Sequence, residues 1–184
     1  EHAQGRGDLG MGSRTVTDLR SNGLVVTETW SQEFPAIGAP LSMVVKQPDG
    51  TTVQSSTHTY QTHTLDSTPN NERYLPYRSQ TVTDRYEVGG IKNGNQITRV
   101  TDSRTVNTLG NTTAATVTTV DKDTGSAEYG QSWTTAITAG YSEDQGNWCL
   151  GLPTSRSETR TLPDLSSQTR STSATFSGPN CRIT

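Results

Sequence analysis

The sequence predicts an all-β fold, an extended antiparallel sheet of long Thr-rich hairpins, on three observations. Apolar and polar residues recur at a spacing of two, not of three and four, and no run of ten residues shows helical periodicity. Turn signals built from Gly, Asn, Asp and Pro separate the runs. Only 28% of the 184 residues are hydrophobic, against about 45–50% apolar in an ordinary soluble domain. The pattern is densest over residues 96–137, whose core reads QITRVTDSRTVNTLGNTTAATVTTV. Val100, Val106, Val117 and Val120 stand there among threonines, and β-branched side chains lose little rotamer freedom in an extended backbone. Leu109-Gly110-Asn111 divides the run as a tight turn. The four valines are expected to face a neighbouring layer or an interior lining, not the centre of a globular core.

In chain order, residues 1–12 read as an irregular glycine-rich loop. SRTVTDLR and LVVTETWSQEF then flank Ser21-Asn22-Gly23, where Asn-Gly supplies the positive φ angles of a type I′ hairpin turn. Pro35, Gly38 and Pro40 stop that ladder, because proline lacks the backbone donor. LSMVVKQ and TTVQSSTHTYQTHTL pair around Pro48-Asp49-Gly50, and 66–72 is a polar loop. The alternating run 78–88 turns through Gly89-Gly90 and Lys92-Asn93-Gly94-Asn95 into the 96–120 hairpin. After a turn at 121–125 come a strand over 129–141, a polar loop at 142–146 and the apolar cluster Trp148, Cys149, Leu150 and Leu152. SRSETRTL and SSQTRSTSATF close the chain around Pro163-Asp164.

Charged residues make up 18% of the chain, net charge −3, and the β-branched content is high, so the composition is not that of a disordered chain. Arg and Lys are scattered among acids and form no basic stripe, which argues against a nucleic-acid partner. No apolar run approaches the roughly 20 residues of a membrane span. The chain is read as one β-rich segment, 1–184, of a larger polypeptide, because it begins at Glu1 and ends at Thr184 directly after the start of a strand.

Candidate chemistry is sparse. Arg6-Gly7-Asp8 is the tripeptide that integrins recognise, a weak adhesion candidate beside its plainer reading as part of a loop. The surrounding glycines approach GxGxxG, but no strand precedes them and no helix follows, so no dinucleotide site is expected. His58 and Tyr60 share one strand face and His63 the other, too few ligands for a metal. Asp121, Asp123 and Gly125 suggest a calcium loop without its later carboxylate. Glu143 and Asp144 pair in a loop without apolar surroundings to separate their pKa values. No GxSxG elbow or histidine-nucleophile pair is present. No catalytic, cofactor-binding or metal-binding residue is predicted. Cys149 and Cys181 form one possible bridge, favoured over two free thiols because the segment between them is a natural hairpin.

The order of phrases GRGDLGMGSRTVTD, GLVVTETWSQEFPAIGAP, LGNTTAATVTT and NWCLGLPTSRSETRT resembles the segment of bacterial Rhs/YD-repeat proteins that precedes their Tyr-Asp repeats. These proteins are related to the shell-forming B component of Tc toxin complexes, and the similarity runs over nearly the whole chain. The family commonly has an aromatic residue where Asp8 stands, so Arg6-Gly7-Asp8 looks like a substitution within a structural loop. The resemblance implies a piece of a β-sheet shell in a large secreted or surface protein, non-enzymatic and Rhs/YD-shell-like. On this reading its partners are the rest of the parent polypeptide or further copies joined through sheet edges, with Trp30, Trp133 and Trp148 as packing anchors. The alternative is an extracellular adhesin-like or carbohydrate-binding module.

Overall fold

The computed structural model describes residues 11–18, 23–177 and 181–183. Ten strands follow one another: β1 (Ser13–Thr17), β2 (Val25–Trp30), β3 (Pro40–Lys46), β4 (Thr52–Asp66), β5 (Arg73–Tyr86), β6 (Gln96–Val106), β7 (Thr112–Asp121), β8 (Ser132–Asp144), β9 (Cys149–Thr161) and β10 (Ser167–Ser173). They form one antiparallel sheet in which spatial order equals sequence order. β11 (Phe176–Ser177) and β12 (Arg182–Ile183) make a separate two-stranded ladder. The all-β, long-hairpin expectation therefore holds.

The turns share a local device. Asp49 accepts the N–H of Thr51, Asp66 that of Thr68, Asn107 that of Leu109, Asp121 that of Asp123, and Asp164 that of Ser166. An Asp or Asn side chain that caps the N–H two residues on mimics a backbone turn, so each hairpin reverses without help from distant packing. Gly50 (φ 90°) and Gly110 (φ 84°) supply the left-handed residues that two of these turns require.

Among the described residues nothing resembling a globular interior lies beneath the sheet. Among the described residues Cys149, 3% exposed, is the only buried hydrophobic; the other buried side chains are Ser31, Ser56 and Ser79. The accessible surface is 12180 Å², where a compact monomer of this mass would expose about 8,700 Å². Most strand residues are half-buried because each leans on its cross-strand neighbours, with no second layer to cover them.

Register gives the two faces different chemistry over most of the sheet, the Asp84–Arg99 ion pair of β5 and β6 standing as an exception on the first of them. One transverse row crosses all ten strands: Ser13, Thr29, Ser42, Thr57, Val82, Thr101, Thr118, Thr134, Thr161 and Ser167. Every member is a hydroxyl residue except Val82, which has the shape of threonine. The same face carries Thr15 against Thr27 and Thr159 against Thr169, with hydroxyls 3.2 and 2.8 Å apart. Because side chains alternate, the rows on either side belong to the opposite face. There stand Arg14 with Glu28, Arg104 beside Asp102, and Glu158 flanked by Arg156 and Arg160. Val100 and Val117 lie on this charged face and Val120 on the hydroxyl face; none of the three is buried.

Some strand limits differ from the sequence reading. β8 begins at Ser132 and continues through 142–144, because Glu143 pairs with Leu150 and Asp144 with Cys149 beyond two register shifts. Residues 149–161 form one strand despite Pro153, and Pro76 lies inside β5. Both prolines occupy stretches with only one paired edge: β10 reaches β9 only from Ser155 onward, and β6 reaches β5 only from Gln80 onward. The missing N–H costs no ladder bond there.

Candidate functional site

Cys149 and Cys181 form a disulfide, with Cα atoms 5.6 Å apart and a sequence separation of 32. Cys149 is the first residue of β9 and Cys181 immediately precedes β12, so the bond holds the short terminal ladder to the main sheet. Arg6-Gly7-Asp8 and the Asn22 turn position fall outside the described residues.

Of the three tryptophans, Trp30 and Trp133 are half-buried. The Arg14 guanidinium sits 5.6 Å from the Trp30 ring, a cation–π distance. Trp148 stands apart from the other two. It is 78% exposed with φ 56°, since it occupies a left-handed turn position that directs it away from the sheet. Its apolar neighbours in sequence, Cys149 and Leu150, belong to the strand that follows.

The polar candidates are engaged in structure. His63 donates from Nε2 to the Val106 carbonyl at 2.8 Å and stacks on Tyr77 at 5.2 Å. His58 Nδ1 lies 3.0 Å from Thr81 Oγ1, and partial burial, then the Arg78 cation, holds its pKa below the usual value. Asp123 receives both Lys92 Nζ and the Gly125 N–H, which lower its pKa, and Asp121 caps the turn. Glu143 accepts from Asn107, while Asp144 caps Asn147 and is lowered by those hydrogen bonds. No group of three or more metal-ligating side chains stands together among the described residues.

What the structure adds is a concavity of about 550 Å³ on β7–β10, lined in part by Ala115, Ile137, Ala139, Tyr141, Pro153 and Arg156. Register shifts on both sides of Tyr141 create it, since bulges bend a strand and re-aim its side chains. Tyr141 is turned so that its hydroxyl donates to the Thr112 carbonyl at 3.0 Å. The sequence signal for this bend is Gly140-Tyr141 on one strand opposite Pro153 on the next, which alternation alone does not reveal.

Both outer strands have one ladder neighbour each. Every residue of β1 and of β10 is exposed, and among the described residues each presents an unpaired row of backbone groups at the sheet margin. No family model matches the chain, and no curated protein matches it either.

Proposed function

We propose that the chain is a non-enzymatic structural segment, one stretch of a single-layer β-sheet shell in a large secreted or bacterial cell-surface protein of the Rhs/YD-repeat toxin type. The observation that carries the reading is a ten-stranded sheet that, among the described residues, has no core and leaves its two outer strands open. A sheet of this kind is completed by further strands at its margins, supplied by the rest of the parent polypeptide or by further copies of the chain. Strands of 13–15 residues span about 43–50 Å at about 3.3 Å per residue, a dimension suited to a wall. The disulfide suits an oxidising compartment, and no helix among the described residues is long and apolar enough to cross a membrane.

The test is the solution behaviour of the chain alone. Sedimentation and urea unfolding should show self-association through open edges and a shallow transition. A monomer with a steep two-state transition, its m-value that of a compact domain of this length, would count against the shell reading.

A second reading, an adhesin-like or carbohydrate-binding module, is favoured by one observation, the exposed indole of Trp148. Glycan-array binding abolished by Trp148→Ala would support it, as would integrin-dependent cell attachment lost on replacing Asp8. Silence in both assays would remove it.

A further inference from the structure

We propose that the concavity on the charged face of β7–β10 is a docking groove for an acidic peptide segment of a protein partner that carries apolar side chains. The inference is independent of the shell reading and goes beyond it.

The groove joins two chemistries. Its floor is aliphatic, with Ala115, Ile137 and Ala139 from neighbouring strands and Pro153 and Tyr141 as walls. Its volume of about 550 Å³ falls in the range of pockets that seat specific ligands, about 300–1,000 Å³. Two ladder rows cross it. One runs Arg104, Ala115, Ile137, Glu158, Arg170, and the other Ala139, Arg156, Thr172. Of the residues lining the groove only Arg156 is charged; beside it the first row adds Arg170 and Glu158, while Arg104, at the far end on β6, is paired with Asp102, so the groove and its β9–β10 rim carry net +1 in a chain whose formal net charge is −3.

The acid on this rim is already occupied. Glu158 accepts from Arg156 at 3.0 Å and from Arg160 at 2.9 Å, and those two arginines hold its carboxyl below the usual range. Arg170, its ladder partner on β10, is exposed and has no ion pair among the described residues. A carboxylate entering over β10 therefore meets guanidinium groups with spare donors, which match carboxylate geometry in a fork. Its apolar neighbour meets the aliphatic floor. The opposite face at the same strands carries Thr134, Ala136, Thr138, Ser157 and Thr159, without charge, so the attraction is confined to one side.

Nucleic acid fits this surface less well. Phosphate recognition draws on a long basic track, whereas the groove and its rim offer net +1 over an apolar floor. An acidic and apolar peptide uses both parts.

The whole 184-residue chain would be titrated, by fluorescence anisotropy, into a fluorescein-labelled peptide of alternating Glu and Leu. Comparison probes are a Lys-Leu peptide, a Glu-only peptide and an oligothymidylate. Variants are the double change Arg156→Glu with Arg170→Glu, Ala139→Trp to fill the floor, and Lys46→Glu as an equal charge reversal on the hydroxyl face, each checked for fold by circular dichroism. The expected result is saturable, salt-sensitive binding of the Glu-Leu peptide alone, weakened at least about tenfold by the arginine reversals and unchanged by Lys46→Glu. The arginine double variant decides the matter if Ala139→Trp does not fold. The proposal is overturned by absence of saturable binding, by equal binding of any comparison probe, or by an equal loss in Lys46→Glu.

Discussion

Thr118 on β7 and Thr134 on β8 stand directly opposite each other, their hydroxyls 3.2 Å apart, in the middle of the row that crosses the whole sheet. With no core beneath them, cross-strand contacts of this kind carry the cohesion of the fold. Thr118→Val or Thr134→Val alone leaves one hydroxyl without its partner. The double change replaces both by apolar groups of the same shape, which is nearly neutral. A double-mutant cycle in urea should therefore give a coupling of about 0.2–1 kcal/mol. Purely additive single effects would show that the hydroxyls are solvated independently.

The Cys149–Cys181 bond closes a loop over 32 positions, and in the chain-entropy description such a link restricts the unfolded chain by about 3–4 kcal/mol. Cys149→Ser with Cys181→Ser should lower the urea midpoint accordingly and expose the terminal ladder to protease first, since β11 and β12 are otherwise tied by a two-pair register. Mass spectrometry checks the premise: alkylation of the unreduced native chain should add nothing. Labelling of two thiols without reductant would refute the bridge.

The pairing order of the strands could be read from single residues. Asp49, Asn107 and Asp164 cap their own turns, so the information that makes each hairpin is local. Strand limits were less readable, because 142–144 is as polar as any loop. Those residues join β8 only through pairing with Leu150 and Cys149 across a bulge. Trp148 shows the same limit from the other side. Its apolar context suggests packing, whereas the left-handed backbone that exposes it arises from how the β8–β9 turn closes. The groove depends on side chains from four strands, so its arginines became significant only once register placed Arg170 opposite Glu158.

His58 should make stability fall in weak acid. Its folded-state pKa lies below the usual 6.5, because burial and then Arg78 disfavour its charged form. The unfolded chain therefore takes up the proton first, and stability present above pH 6.5 is lost as pH falls through that value toward the folded one. His58→Gln should flatten this part of the profile between pH 7.5 and 5.5. The turn carboxylates Asp49, Asp66 and Asp164, lowered by their caps, lose their contribution only further down, near and below the ordinary carboxylate range. Urea midpoints measured across pH separate the two. An unchanged slope in the variant would exclude His58 as the source.

Gly140 and Gly125 should respond differently to alanine. A Cβ on Gly140 would stand 2.6 Å from Ser155 Oγ and 3.1 Å from Thr154 Oγ1, and the Gly140 N–H donates to that same Ser155 hydroxyl. Both obstacles sit on short side chains of β9, so the sheet itself must shift next to the bulge that shapes the groove. Overpacking of this kind costs about 1–3 kcal/mol. A Cβ on Gly125 meets chiefly the end of Lys92, a flexible side chain that can swing aside, and loss of a surface ion pair such as the one it makes with Asp123 costs little. The reduced freedom of the unfolded chain offsets that loss by about 0.4–1 kcal/mol. Gly125→Ala should accordingly be near neutral in urea unfolding while Gly140→Ala destabilises, and equal effects would mean that the β8–β9 register tolerates a methyl group at the bulge.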